Sequence, residues 1–232
     1  MGFSTFRINS KLPLNVLEKK FYGKLGLRYE IETNPEYSNL KKHLQKYRDY
    51  ITSSNFPYGI HRPRKSFYFD SPKILFKGMF CKPEFCYDDE QLYVGMSFSV
   101  IISKSSDTDL KYILAILNSK LAMYWFSKMG KQRGIGVDIS ISKLYKFPIV
   151  KKFQYQKVIS KIVSTIIQDK KLGHSSQYNI DLVDLLVFKL YDLTYLEVKL
   201  VDPHIDLVLA QLSLSSSDFE RLTLEDLTNQ YM

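Results

Sequence analysis

Cysteine is nearly missing. Two thiols, Cys81 and Cys86, in 232 residues cannot make a disulfide framework, which points to a chain kept in a reducing cytoplasm. No run of eighteen apolar residues occurs, so no segment is a candidate membrane span. The first thirty residues scatter Lys and Arg among polar positions, which is not the pattern of a secretory leader. A soluble, non-exported, cytoplasmic protein is the expectation. Glycine is sparse, ten in all, and the one close pair, Gly134-Ile135-Gly136, is too short for a nucleotide-binding fingerprint and follows helical rather than strand text. Internal repeats and low-complexity stretches are absent.

Acidic residues are scarce except at one end. Residues 1–80 carry 15 basic against 6 acidic side chains, residues 81–172 carry 15 against 8, and residues 173–232 carry 3 against 10. A basic body joined to an acidic tail suits a polyanionic partner, because each Lys or Arg that neutralises a phosphate releases a condensed counterion. A solvated Lys-rich surface would give the same count.

What is abundant is apolar and aromatic: 45% hydrophobic residues, with 15 Phe and 17 Tyr, enough for a packed core. Tyr37–Ile51 spaces Leu40, Leu44, Tyr47 and Ile51 by threes and fours, predicting an amphipathic helix with a basic outer face. Ser66–Ser103 holds short aromatic and β-branched runs parted by Pro72, Gly78, Pro83, Asp88-Asp89 and Gly95, which predicts strands. Asp109 can cap one buried helix running to Met129 and ended by Gly130, and Lys131–Asp138 reads as a Gly-containing loop. Helices are expected over Gln154–Ile167 and Ile180–Leu190, with more in the acidic tail. The expected fold is α+β: a mixed sheet with the Asp109–Met129 helix packed on it, flanked by N-terminal and C-terminal helices. Its boundaries are 1–51 for the helical entry, 52–172 for the core and 173–232 for the tail.

Three stretches carry a resemblance: YGIHRPRKSFYFDSPKILF over Tyr58–Phe76, DLKYILAILNSKLAMYWF over Asp109–Phe126 followed by Leu144 and Phe147-Pro148-Ile149, and NIDLVDLLVFKLYDLTYLEV over Asn179–Val198. In this order they resemble the C-terminal specificity domain of TaqI-like adenine-N6 DNA methyltransferases and of the fused restriction-methylation enzymes related to them. The resemblance implies a domain that lies across double-stranded DNA from a methyltransferase domain or subunit and selects the sequence to be modified. It leaves S-adenosylmethionine, with Mg2+ as an option, to the parent enzyme and assigns this chain no cofactor. The acidic tail would shield the core's edge or dock on the methyltransferase part. Opening on Met1 suits an expressed fragment or a separate subunit alike.

No catalytic or metal-binding set is expected in the chain itself. The resemblance would place an Asn-Pro-Pro-Tyr motif in the methyltransferase; the nearest text here, Asn34-Pro35-Glu36-Tyr37, reads instead as a turn before a helix. Glu197-Val198-Lys199, with Asp202 or Asp206 nearby, has the letters of a metal-dependent nuclease but lies in helical text. Cys81 and Cys86 with His61 or His43 fall short of a zinc ligand set. Phe67, Tyr68, Phe69, Tyr124, Trp125 and Phe126 read as core in preference to base-stacking platforms, with Tyr58 the more exposed exception.

Base reading needs long hydrogen-bonding side chains on a stiff scaffold. His61, Arg62, Arg64 and Lys65 form one candidate set, stiffened by Pro63. Lys131, Gln132 and Arg133 form a second, beside glycines that permit close approach to a phosphate backbone, and Lys73 is a further candidate. Lys41, Lys42, Lys46 and Arg48 suit backbone contacts or a hinge. The expected function is target recognition within a type II restriction-modification system. The alternatives are a metal-dependent nuclease using Asp70 or Glu197, and a docking module for an acidic protein.

Overall fold

The computed structural model describes residues 34–50, 65, 67–81, 84–95, 97–105 and 107–229. It divides into two compact units, Met1–Asp70 and Ser71–Met232. In the first, the side-chain oxygen of Asn34 accepts the Glu36 N–H at 3.0 Å and opens a 3-10 turn over Pro35–Tyr37, which is the Asn-Pro turn expected there. Helix α1, Ser38–Gln45, follows. Beyond it the N–H groups of Lys46, Tyr47 and Arg48 bond carbonyls three residues back, so the helix expected as far as Ile51 tightens into turns. Phe67–Asp70 forms a single helical turn, α2, in place of the strand its aromatics suggested, and Pro72 bars its extension.

The second unit holds two three-stranded sheets. In the first, β1 (Lys73–Lys77) lies between β3 (Phe85–Asp88) and β4 (Phe98–Ile102), antiparallel to both. In the second, β6 (Gly136–Asp138) lies between β2 (Met79–Phe80) and β5 (Lys131–Arg133), again antiparallel. The α+β class read from the sequence holds, with two small antiparallel sheets among the described residues where one mixed sheet was expected. The two-residue link from β5 to β6 is too short for the crossover that parallel neighbours require.

Ile74 and Phe76 turn one face of β1 onto a helical layer. The Asp109–Met129 helix is corrected by the structure to two, α3 (Leu110–Leu117) and α4 (Lys120–Met129). Asp109 does cap the first, accepting the Lys111 N–H at 2.8 Å. The break comes at Asn118-Ser119, where side chains compete with the helical backbone. The Asn118 amide donates to the Phe85 carbonyl at 2.9 Å and accepts the Phe85 N–H at 3.0 Å, as a neighbouring strand would. Ser119, extended at ψ 157°, restarts the helix by accepting the Ala122 N–H.

After the single turn α5 (Ile141–Leu144), helix α6 (Gln156–Leu172) packs on α3 and ends at Gly173 with φ +76°, and α7 (Gln177–Leu190) packs on α6 and α4. Helices α8 (Tyr195–Val201), α9 (Ile205–Gln211), α10 (Ser216–Arg221) and α11 (Leu224–Asn229) close the unit. Leu182, Leu185, Leu186 and Phe188 of α7 belong to the same core as Ile74, Ile116 and Phe126. No helix among the described residues is long and apolar enough to cross a membrane.

Three acids of the 173–232 stretch, Asp181, Asp184 and Asp202, are buried. Asp184 accepts the Lys120 N–H at 2.8 Å, at the positive end of α4. Asp202 holds the Lys120 ammonium at 2.7 Å and also accepts the His204 N–H. Asp181 accepts from Gln177. Burial pushes the Asp184 carboxyl up to about 7, with Asp181 and Asp202 adding to the rise and Lys120 opposing it.

A carboxyl raised in the fold stabilises it fully below the ordinary aspartate value of 3.8, and that contribution is lost as pH rises through about 7. Asp184→Asn keeps an acceptor for the Lys120 N–H without the charge. Relative to wild type, its stability is expected to improve between pH 5 and pH 8, by up to about 3 kcal/mol for a carboxyl titrating near 7. Denaturant unfolding at both pH values measures this; a difference that stays flat with pH would mean Asp184 is ionised throughout.

Candidate nucleic-acid interface

The segment read as a Gly-containing loop, Lys131–Asp138, is a β-hairpin. Arg133 pairs with Gly136, Gln132 with Val137 and Lys131 with Asp138, so only Gly134 and Ile135 make the turn. Gly134 has φ +59° and Ile135 lies outside the left-handed region, the pattern of a II′ turn with glycine first, whose twist matches that of the strands. The hairpin springs from the end of α4 and is tied back by the pairing of β6 with β2 and by the Ile139 N–H, which donates to the Gly78 carbonyl at 2.6 Å.

Gly130 makes the close approach possible. A Cβ there would stand 2.1 Å from Cγ1 of Val137 and 2.8 Å from the Phe126 carbonyl oxygen. Its φ of −75° is ordinary, so the requirement is space rather than conformation.

The bases of α4 and of the hairpin are held by an aromatic series. Phe76 and Phe85 lie 5.1 Å apart, Phe85 and Phe126 6.0 Å, Phe126 and Phe147 5.3 Å, and Phe147 and Tyr191 6.4 Å, with Trp125 edge-on to Phe147 at 5.2 Å. The Tyr191 hydroxyl donates to the Pro148 carbonyl and the Tyr112 hydroxyl to the Val150 carbonyl at 2.7 Å. Burial keeps both phenols protonated, Tyr112 up to about 12. The Phe-Pro-Ile segment is thus a joint between α4, α3 and the end of α7.

Lys131, Gln132 and Arg133 are all exposed on this supported hairpin. The Gln132 amide donates to the Ser127 carbonyl at 3.3 Å, towards α4. Strand alternation sends Lys131 and Arg133 to the other face. The Arg133 Nε donates to the Asp138 carboxylate at 2.9 Å. That exposed pair adds little stability, yet it aims the guanidinium and leaves its terminal nitrogens without a bond to the described residues. Sequence reasoning passed over Asp138 as this guide; the available signal was an acid five residues after Arg133 across a Gly-Ile turn.

Lys73 is a correction. Its side chain is 0% exposed and its ammonium is ion-paired with Asp88, directly across the β1–β3 register. Asp88 also accepts the Glu90 and Leu92 N–H groups at 3.2 and 3.0 Å. A lysine so enclosed organises the sheet edge and has no path to a phosphate. Lys65 is exposed in the first unit, while His61, Arg62 and Arg64, like Tyr58, lie outside the described residues. Phe69 and Phe126 are buried as expected, whereas Phe67, Tyr68 and Tyr124 are partly exposed and Trp125 half-buried.

The nuclease letters have structural occupations. Glu197 closes a capping box with Thr194, accepting its N–H and hydroxyl at 2.8 Å each, and these bonds lower its carboxyl pKa. Lys199 bonds Asp206 at 3.0 Å, and Asp202 serves Lys120. Cys81 and Cys86 are exposed free thiols. Among the described residues no three His, Cys, Asp or Glu side chains gather as a metal site.

Gly130→Ala is expected to cost on the order of 1–3 kcal/mol by overpacking and to displace the hairpin from α4. Denaturant unfolding together with DNA binding checks this; unchanged stability and binding would show that the hairpin is not held by this contact.

A sequence model of one protein family, the TaqI-like C-terminal specificity domain, matches residues 19–149, a span that includes the break at Asn118, the hairpin and Phe147. No curated protein matches the chain.

Proposed function

The chain belongs to the TaqI-like C-terminal specificity domain family, a DNA-recognition part of restriction-modification enzymes, and on that premise we propose that it selects the target for an adenine-N6 methyltransferase of a type II system, with or without an endonuclease. The observation that carries the proposal is the hairpin: a lysine, a glutamine and an arginine, all exposed, on a ribbon whose base is fixed by core packing. Arg and Lys can bond guanine O6 and N7, and Gln can bond adenine N6 and N7. Lys65 and the neighbouring His61, Arg62 and Arg64 would add a second basic contact.

Within that function the chain supplies affinity and register, while the methyltransferase part binds S-adenosylmethionine and carries out the transfer. Membership of the family supports a methyltransferase part as the partner of this chain, and Mg2+ belongs to the parent only where the parent also cleaves. The occupied roles of Glu197, Lys199 and Asp202 argue against a nuclease centre at those residues.

The test compares duplexes selected from a randomised pool with scrambled duplexes, over a series of salt concentrations. Arg133→Ala is expected to lose about 1–3 kcal/mol of discrimination at one base pair. Lys131→Ala, if it contacts phosphate, is expected to weaken both duplexes alike and to flatten the salt slope by about 0.9. Equal losses on both duplexes for Arg133→Ala would refute base reading by that residue, and no duplex binding even at low salt would turn the assignment towards a protein-docking module.

A further inference from the structure

We propose that Ile135 recognises the C5-methyl group of a thymine in the major groove, an inference that rests on the DNA-binding function proposed above. Ile135 is 95% exposed, more than any other large apolar side chain described, and it occupies the apex of the hairpin between Arg133 and Gly136. The turn does not call for it. Gly134 supplies the positive φ, and the second position of such a turn is commonly filled by Asn, Asp or Ser. A β-branched apolar residue there is an exception to local turn chemistry.

The shape of the element selects the groove. A two-stranded β-ribbon fits the major groove, about 12 Å wide, without deforming the duplex, whereas entry into the minor groove of about 6 Å requires the duplex to be bent and the groove widened. Lys131 and Arg133, on one face of the ribbon, match the hydrogen-bonding edges of bases. The one apolar landmark among the base edges in that groove is the thymine methyl group. An isoleucine at the tip of a polar ribbon is complementary to that group, and its contact specifies a base that the neighbouring donors do not read.

The experiment uses the full chain and duplexes selected by it from a randomised pool. Each thymine of the selected site is replaced singly by deoxyuridine, which removes only the methyl group. Wild type is expected to bind about fourfold more weakly at one such position, the equivalent of one buried methyl. Ile135→Ala is expected to bind the thymine and deoxyuridine duplexes equally there, while Ile135→Val keeps the preference. The side chain is exposed, so these variants leave the fold intact, which circular dichroism checks. Wild-type indifference to every replacement, a selected site without thymine, or full methyl sensitivity in Ile135→Ala would each overturn the inference while leaving DNA recognition standing. Failure to bind any duplex at low salt would sink the DNA-binding function as well, and is distinguished by that wider loss.

Discussion

The amide of Asn118, bonded to both backbone groups of Phe85, holds the point where one apolar helix becomes two. Without the break, residues 110–129 would continue as a single rod. With it, α4 leaves in a new direction, begun by Ser119 and anchored at its first turn by Asp184 and Asp202 through both nitrogens of Lys120. The direction of α4 sets where Gly130 lies, and Gly130 sets where the hairpin begins. Leaving the two Phe85 groups unpaired would cost about 1–3 kcal/mol for each that stayed buried. The family-like letters Leu-Asn-Ser-Lys and Phe-Pro-Ile are therefore structural joints, and the residues suited to touching DNA are carried on the short ribbon between them.

Much of this was legible where one residue type has one dominant use. Asp109 as a cap, Asn34-Pro35 as a turn, Gly130 as the end of a helix and the apolar face of α7 follow from capping, turn chemistry and helical periodicity. The break was not legible, because apolar spacing runs unbroken through Asn118-Ser119 and the partner of Asn118 lies 33 residues away. The hairpin was missed because strands of three residues are too short to show alternation, and only Gly134 marked the turn. Lys73 misled for a related reason: a lysine at a strand head looks solvent-facing until Asp88 is known to lie opposite it. The α+β class survived these local errors because it depends on the larger apolar segments.

The charge count takes on a more specific meaning in the fold. Acidic residues of the last sixty positions do not all form an outward-facing tail; Asp181, Asp184 and Asp202 lie inside, two of them fastening Lys120. Acid is thereby drawn into the joint that aims α4, while Lys131 and Arg133 remain at the surface on the element that α4 carries. Asp138 is the acid on that ribbon, and Arg133 neutralises it at 2.9 Å. Buried acid thus serves the support, while exposed cations stand on the ribbon.

The most direct measurement is amide hydrogen exchange on the full chain with and without a selected duplex at low salt. Slowed exchange on DNA binding over residues 131–138, with α7 to α9 unchanged, is the result expected if the hairpin is the contact surface. Unchanged exchange in the hairpin, with protection appearing over the acidic helices instead, would contradict it.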